Sequence, residues 1–185
     1  MIEVELKIPL KYSLERTAAN LGELGFAPKS FVREQDTYFD TSIGQIRQNG
    51  EALRIRETSK MWGEQTETRI TFKGHKLNTR SMTRQELETT IGDAETGMRI
   101  LQALGYRPVR PTVIKIRREY EKESVTACLD QVEGLGDYLE LETVIAEGED
   151  REGALQLLEQ ILKQLGYTLA ETTRTSYLTQ LQNKA

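Results

Sequence analysis

The sequence predicts an α+β fold in which eight strands form an antiparallel sheet and helices pack against it. Segment after segment carries a charged residue at every second position, as Glu3, Glu5 and Lys7 do in IEVELKI. Because alternate side chains of a strand point to opposite faces, such a segment predicts a strand with one apolar and one charged face. Three Leu-Gly-aromatic sequences, at 24–26, 104–106 and 165–167, each close a leucine-rich stretch and predict helix ends. Sequential strands with short connections favour antiparallel pairing.

The elements follow from these patterns in order. Eight strands are predicted, at 2–8, 31–40, 51–59, 66–74, 82–91, 112–121, 124–131 and 138–146. Four helices are predicted, at 14–24, 93–104, 150–165 and 173–183. Ser13 and Asp93 stand where the first two helices need an N-cap. ETSKMWGEQ (57–65) predicts a hairpin loop between the third and fourth strands. No linker-like stretch divides the chain, so one domain is predicted over 1–185.

Composition narrows the classes of function. The 25 basic and 29 acidic residues give a net charge of −4, which argues against a nucleic-acid or anionic-membrane partner. No apolar run is long enough for a membrane span, and Cys128 is the only cysteine, so a cytoplasmic location is expected. With His75 as the only histidine, any chemistry must rest on carboxylates, lysine, arginine and bound metal.

The charged faces of the strands have two interpretations. A half-exposed antiparallel sheet produces the same alternation, and its surface charges usually have no specific role. Here, however, the polar positions are almost all formally charged, with acids dominating the first, seventh and eighth strands and bases the third, fourth and sixth. A closed barrel with this face inside would enclose basic walls and a carboxylate cluster, with the helices covering its aliphatic exterior.

An enclosed charged face requires ligands. Buried charges are tolerated only when they are paired, bound to metal or bound to a ligand, so the bases would need an anion and the acids a hard cation. Oxygen ligands select Mg²⁺ or Mn²⁺ over zinc. A polyphosphate with bound Mg²⁺ or Mn²⁺ satisfies both halves, and this is the ligand hypothesis that the sequence supports.

The same residues carry a resemblance to a known family. Glu-x-Glu-x-Lys at 3–7 resembles the opening motif of the CYTH superfamily, the triphosphate tunnel metalloenzymes. The resemblance continues in order through QDTYFD (35–40), LRIR (53–56), TFKG (71–74), TRQELE (83–88), KIRREY (115–120), LDQVEGLGDYLELE (129–142) and TSYL (175–178). These segments are most similar to the CyaB-type, class IV adenylyl cyclase branch. The resemblance implies an eight-stranded antiparallel β-barrel that forms a tunnel.

The resemblance also implies roles for individual residues. Divalent metal would be bound by Glu3, Glu5, Asp130, Glu140 and Glu142. The triphosphate would be held by Lys7, Arg54, Arg56, Lys73, Lys115 and Arg117. Arg84 is a seventh predicted triphosphate-binding base. It belongs to a further motif with Glu86 and Glu88, for which a salt-bridged wall is as good an interpretation as direct contact with the substrate. As catalytic groups, Lys7 or Lys115 with a lowered pKa could assist deprotonation. Tyr38, Tyr120 and Tyr177 are predicted to pack.

Three functions remain open at this point. Attack by the ribose 3′-hydroxyl on the α-phosphorus of ATP would make cyclic AMP and pyrophosphate, the reaction of an adenylyl cyclase, which the motifs favour. Attack by water would make a triphosphatase acting on tripolyphosphate, thiamine triphosphate or a nucleoside triphosphate. A non-catalytic binding module is the third possibility. The full set of acids disfavours it, because a protein that only binds a triphosphate could use bases alone. The expected partner is a small-molecule triphosphate, with no nucleic acid and no membrane, and a homodimer is allowed.

Overall fold

The computed structural model describes residues 1–63 and 65–184. The strands are β1 (Ile2–Pro9), β2 (Ala27–Asp40), β3 (Ala52–Lys60), β4 (Thr66–Lys73), β5 (Arg84–Ile91), β6 (Arg107–Lys122), β7 (Val125–Val132) and β8 (Gly136–Ile145). The helices are α1 (Leu14–Glu23), α2 (Gln45–Gln48), α3 (Ala94–Ala103), α4 (Arg151–Gln164) and α5 (Tyr177–Lys184), with a 3-10 helix at Leu169–Glu171. All strand pairs are antiparallel, and the strands close into a barrel in the order β1-β5-β4-β3-β2-β6-β7-β8. The predicted eight-stranded barrel with flanking helices is confirmed.

The barrel has its apolar face outside and its charged face inside. The outward side chains of β1, among them Val4 and Leu6, are fully buried in one cluster with Leu158 and Leu162 of α4 and Leu21 of α1. A second cluster joins the outer faces of β3 and β4 to α3. Burial of each such aliphatic side chain stabilises the fold by about 1.5–3 kcal/mol. The helices therefore cover the aliphatic exterior, as the alternation predicted.

The helix ends agree with the sequence signals. Ser13 Oγ accepts a hydrogen bond from Arg16 N, and Asp93 Oδ1 accepts one from Thr96 N at 2.7 Å, so both predicted N-caps are confirmed. Gly25, Gly105 and Gly166 have φ of 87°, 94° and 80°, the left-handed conformation predicted by the Leu-Gly-aromatic repeat. In each case the aromatic N–H returns to a carbonyl five residues earlier, which satisfies the end of the helix.

Two glycine substitutions should therefore have opposite effects on stability. Gly105→Ala places a Cβ in open space, so only its φ of 94° opposes the change, and the free energy of unfolding should fall by about 1 kcal/mol. Gly22→Ala also meets nothing within 4 Å but lies within α1, where alanine should raise stability by about 0.5–1 kcal/mol. Urea unfolding of both variants measures the difference, and a loss of stability in both would contradict this account of the repeat.

Several boundaries differ from the predictions. β2 and β6 begin at 27 and 107 instead of 31 and 112, because they extend as a pair from Ala27↔Glu121 to Asp40↔Arg107 with two register shifts. α2 was not predicted, because its four residues are too few to show a helical pattern in the sequence. Its N–H groups at Ile46 and Arg47 donate to the Asp40 carboxylate, which holds the start of the helix. The hairpin loop narrows to 61–65, of which residue 64 lies outside the described residues.

The C-terminal helix starts four residues later than predicted. Residues 173–176 instead cross the end of the barrel, where Thr173 N donates to Lys7 O at 2.8 Å. Among the helices described here, none is long and apolar enough to cross a membrane.

Candidate functional site

The inward face of the barrel lines a cavity of about 760 Å³, within the range of small-molecule sites. All bases predicted to hold the triphosphate lie on its wall: Lys7, Arg54, Arg56, Lys73, Arg84, Lys115 and Arg117. Four of the five predicted metal-binding acids also lie there: Glu3, Glu5, Glu140 and Glu142. The charged alternation therefore belongs to one enclosed face, and a half-exposed sheet is excluded for these residues.

Two acids of β2 that the sequence analysis did not select lie between the basic strands. Arg56 donates from Nε and Nη2 to both oxygens of Asp36, at 2.6 and 2.8 Å, and from Nη1 to Glu34 at 3.2 Å. Arg54 Nη1 donates to Asp36 at 3.3 Å. Burial opposes ionisation of Glu34, but Arg56, Lys115 and Arg117 lower its pKa to about 2. Glu34 and Asp36 share the parity of Tyr38 in VREQDTYFD, so the alternation was the signal that could have identified them.

The predicted basic wall consequently carries acids as well, whereas the acid-rich strands β7, β8 and β1 are neighbours in the barrel. β2 lies between β3 and β6, the two most basic strands, and places its acids between their bases. The sequence order of the strands does not predict that β2 and β6 are neighbours, because their paired residues are at least 67 positions apart throughout the ladder. Within the barrel the two signs of charge are interleaved.

Asp130 lies in a second ionic group, away from the cavity surface. It is fully buried, and Arg117 donates to both of its oxygens, at 2.7 and 2.6 Å. Lys115 Nζ donates to Asp130 at 3.1 Å and contacts Glu34 at 3.1 Å. Arg117 also bonds Glu140. The structure thus does not bring Asp130 to the position predicted for a metal ligand; its oxygens hold Arg117 and Lys115 in place.

The β1–β8 ladder gathers the remaining acids. Glu5 stands directly opposite Glu142, and Lys7 directly opposite Glu140. Like charges in directly opposed positions repel, since their Cβ atoms are only about 4.5–5.5 Å apart. Burial first, and then the charge of Glu3, raise the pKa of Glu142 to about 8. The buried Oε1 of Glu5 accepts no hydrogen bond from any described residue, and Lys7 Nζ, which lies 3.5 Å from it, is shared with Glu140. This corner has more negative charge than the chain neutralises.

The acids nevertheless do not surround a common point. No three acidic, histidine or cysteine side chains of 1–63 and 65–184 converge closely enough to hold a metal ion. Lys73 donates a hydrogen bond to Glu3, and Lys7 lies 3.0 Å from Glu140. Two of the acids predicted to bind metal are therefore paired with lysines. The oxygen donors, a Glu5 oxygen that accepts no hydrogen bond from the described residues, and the burial and repulsion that raise the pKa of Glu142 all suit a hard cation such as Mg²⁺ or Mn²⁺.

The wall formed by β4 and β5 is a salt-bridged surface. Lys73 bonds Glu3 and lies 3.3 Å from Glu86. Glu88 accepts hydrogen bonds from Thr71 Oγ1 and Arg69 Nη1, both at 2.7 Å. Glu86 and Glu88 therefore fit the salt-bridged interpretation of their motif. Arg84, by contrast, forms no salt bridge with any described acid and donates only to Met82 O at 3.4 Å.

The protonation state of Lys7 differs from the prediction. Burial opposes its charge, but Glu140 and Glu5, at 3.0 and 3.5 Å, raise the pKa of Lys7 above its usual value. A lysine held in its charged form binds anions and can donate a proton, but it is a poor base. The cavity lysine with a lowered pKa is instead Lys76, for which burial, followed by Arg84, Arg174 and Lys7, lowers the pKa to about 8.

Tyr177 connects the C-terminal segment to both predicted catalytic lysines. Its ring centroid lies 4.2 Å from Lys7 Nζ and 5.5 Å from Lys115 Nζ, and its hydroxyl donates to Asp130 at 3.1 Å. Tyr177 packs as predicted, but it does so against charged groups of the site. Arg174, Ser176 and Tyr177 all line the cavity, and no strand alternation could have identified them because they lie outside the strands.

Comparisons with known proteins agree with this architecture. A protein of Methanocaldococcus jannaschii named "Putative adenylate cyclase MJ0240" is 36% identical over 178 residues, which cover 96% of this chain and 97% of that one. The solved structure of the PH1819 protein of Pyrococcus horikoshii is 34% identical and superposes with a TM-score of 0.86 over 99% of both chains. A Hippeastrum protein, described as a "putative adenylyl cyclase" with a dominant triphosphatase activity, shares the fold at 18% identity, with a TM-score of 0.66 over 99% of this chain and 95% of that one.

The family assignment rests on the sequence as well as on the fold. The CYTH domain matches residues 1–177, which include all eight strands and end at the first residue of α5. The resemblance first carried by the Glu-x-Glu-x-Lys motif is confirmed over nearly the whole chain, and the protein belongs to the CYTH family.

Proposed function

We propose that this protein is a divalent-metal-dependent enzyme that converts ATP to cyclic AMP and pyrophosphate. The observation that carries the proposal is the enclosed wall on which seven predicted phosphate-binding bases face one cavity. CYTH proteins act on triphosphates, and the relative with 36% identity bears a cyclase name, which supports the cyclase reaction for this chain. ATP would enter with its three phosphates extended along the basic groups.

Electrostatic balance supports the metal requirement. Six of the seven bases already contact carboxylates, so each base that turns to a phosphate leaves an acid without its partner. A buried charge deprived of its partner is strongly destabilising, by about 3–5 kcal/mol. A cation that arrives with the triphosphate compensates these acids, whereas a bare polyanion does not. Glu5 and Glu142, with Glu3 and Glu140, are the residues that would hold it.

Each part of the chain then has a chemical role. When bound, Mg²⁺ or Mn²⁺ would neutralise charge on the phosphate oxygens. Arg54, Arg56 and Arg117 would orient the phosphates, because a guanidinium fork can bind two oxygens at once. Asp130 and Glu34 hold Lys115 and Arg117 ready for that contact. Lys7, held in its charged form, would stabilise negative charge that develops on the leaving phosphate oxygen.

A triphosphatase is the second candidate, and one feature of the wall favours it. Most side chains that line the middle of the barrel are charged, and charged groups recognise phosphates rather than a purine or a thiamine ring. A site of this kind binds tripolyphosphate without help from an organic group. Hydrolysis would then need only water in line with the terminal phosphorus.

One experiment separates the candidates. Purified protein is incubated with ATP, thiamine triphosphate and tripolyphosphate, each with Mg²⁺, with Mn²⁺ and with EDTA, and the products are identified by chromatography. Cyclic AMP with pyrophosphate supports the cyclase, and inorganic phosphate with diphosphate products supports the triphosphatase. Binding of all three without turnover in either metal would overturn both and favour a binding module.

A further inference from the structure

One end of the cavity differs electrostatically from the rest. This is the end at which β1 finishes and β5 begins, where Lys76, Arg84 and Arg174 line the cavity. The other buried or half-buried bases of the wall contact at least one carboxylate. None of these three forms a salt bridge with an acid in the described part of the chain. Acids do lie near them, since Arg84 stands opposite Glu3 in the β1–β5 ladder and the charge of Glu5 acts on Lys76, but none is bonded to these bases. The three bases are a cluster of positive charge without a salt-bridge partner, here called the basic end.

Backbone carbonyls, which carry no net charge, hold this basic end in shape. Arg174 donates from Nε to Ser81 O at 3.1 Å and from Nη2 to Asn78 O at 2.8 Å. Lys76 Nζ donates to Arg174 O at 2.5 Å. The loop 74–83, which supplies the Ser81 and Asn78 carbonyls, is ordered by the Asn78 side chain, which accepts hydrogen bonds from Ser81 N and Ser81 Oγ. The carbonyls position the cations without neutralising them.

Uncompensated like charges in a partly buried position are destabilising unless an anion joins them. Burial first, and then the charges of Arg84 and Arg174, lower the pKa of Lys76, which is the direction that repulsion among the three bases requires. The side chains of the three bases bond only to backbone carbonyls among the described residues, so several of their N–H groups remain able to bind a ligand in the cavity. A small, highly charged oxyanion is the ligand that suits such a cluster.

In a linear triphosphate, the terminal phosphate is the group of this kind. It carries a second ionisation near neutral pH, as phosphate monoesters do, whereas the internal phosphates carry only one negative charge. The paired bases along the barrel suit the internal phosphates, which need less compensation. The basic end suits the terminal one.

We propose that Lys76, Arg84 and Arg174 form a subsite for the unsubstituted terminal phosphate of a linear triphosphate, so that any organic substituent points to the opposite end of the barrel. That opposite end is lined by Met1, Lys60 and Gln65 beside the β3–β4 hairpin. The inference rests on the proposed triphosphate function and adds Lys76 and Arg174 to it. It also defines the substrate class: triphosphates with at least one free end.

The test compares ligands that differ in their ends. Melting temperature and apparent affinity are measured with tripolyphosphate, ATP, inorganic phosphate and P1,P3-di(adenosine-5′) triphosphate, with Mg²⁺ and with EDTA. The wild type should bind the first two and discriminate strongly against the triphosphate substituted at both ends. Lys76→Met should weaken binding of tripolyphosphate and ATP roughly ten- to hundredfold, the effect of one charge-assisted hydrogen bond. Lys163→Met, which changes an exposed base in the last turn of α4 outside the cavity lining, is the matched control and should change little.

The outcomes separate this subsite from the proposed function. If the wild type binds triphosphates and Lys76→Met binds them as Lys163→Met does, the subsite is overturned while the function stands. Equal binding of the doubly substituted triphosphate also overturns it. If inorganic phosphate binds in a Lys76-dependent way but no triphosphate binds, the three bases are a phosphate site only, and the terminal-phosphate subsite fails together with the proposed function. Arg174→Met also frees two carbonyls, so the decision rests on Lys76→Met, which frees one.

Discussion

Replacing Glu142 by glutamine should remove most metal-dependent turnover and yet raise the free energy of unfolding at pH 8. Glu142 faces Glu5 across the β1–β8 ladder, and burial, then the charge of Glu3, raise its pKa from 4.5 to about 8. Glutamine keeps the size of the side chain and removes the charge that this corner repels. It also removes an anionic ligand from the candidate cation site, on which binding of hard cations depends. The loss of turnover should reach roughly a hundredfold or more, the scale of losing one electrostatic group in a site.

The pH dependence gives the sign of this effect. Between pH 4.5 and 8 the folded protein keeps a proton on Glu142 that the unfolded chain has released. Stability contributed by that proton is therefore lost as pH rises through this window. Each unit of pKa shift corresponds to about 1.4 kcal/mol. The wild type should lose stability from pH 5 to 8 in EDTA, and Glu142→Gln should lose much less.

Bound metal should oppose this loss of stability with rising pH in the wild type and in any variant that keeps Glu142. Because Mn²⁺ competes with the proton for the same carboxylate, its stabilising effect should be larger at pH 8 than at pH 6, and this difference should disappear in Glu142→Gln. Glu88→Gln is the matched control, since hydrogen bonds from Thr71 and Arg69 outweigh burial and lower the pKa of Glu88. Thermal unfolding of the three proteins at both pH values measures these slopes. An identical response to Mn²⁺ in all three would remove Glu142 from the metal site.

The sequence determined which side chains share a face, but not which of them meet. The period of two along a strand is a property of each segment by itself, so alternation was enough to place Arg54, Arg56 and Lys73 on the inner face. Partners depend on strand order and register. Asp36 stands opposite Arg56, and Arg117 opposite Asp130, only because β2 pairs with both β3 and β6 and β7 returns along β6.

The alternation of side chains along strands could not predict the interactions of residues outside the strands, for a different reason. Lys76 lies in a loop and Arg174 in an extended segment, and both are held by backbone carbonyls of residues far away in sequence or in irregular structure. Such contacts leave no periodic pattern. The predicted lowered pKa of Lys7 failed similarly, because it depends on Glu140, which reaches Lys7 only through the β1–β8 ladder.

Replacing Arg56 by lysine should weaken both triphosphate binding and the protein without ligand. Crowding among bases alone would predict relief of repulsion and no loss of stability. The contacts predict otherwise, because Arg56 bonds both oxygens of the buried Asp36 and reaches Glu34 as well. A lysine keeps the charge but cannot reproduce the fork. Loss of one or two charge-assisted hydrogen bonds should lower the free energy of unfolding by about 1.5–3 kcal/mol.

The effect of ligand separates binding from wall structure. If Arg56 turns from Asp36 to the phosphates, Arg56→Lys should also lower tripolyphosphate affinity by roughly ten- to a hundredfold, and added tripolyphosphate should raise its melting temperature less than that of the wild type. Arg69→Lys is the matched control, since Arg69 stands directly opposite Arg56 in the β3–β4 ladder but is half-exposed and bonds Glu67 and Glu88. That variant should keep both its stability and its ligand response. If tripolyphosphate stabilises all three proteins equally, Arg56 has only a structural role in the barrel. The triphosphate must then be held by other bases, whose ion pairs with carboxylates break more readily.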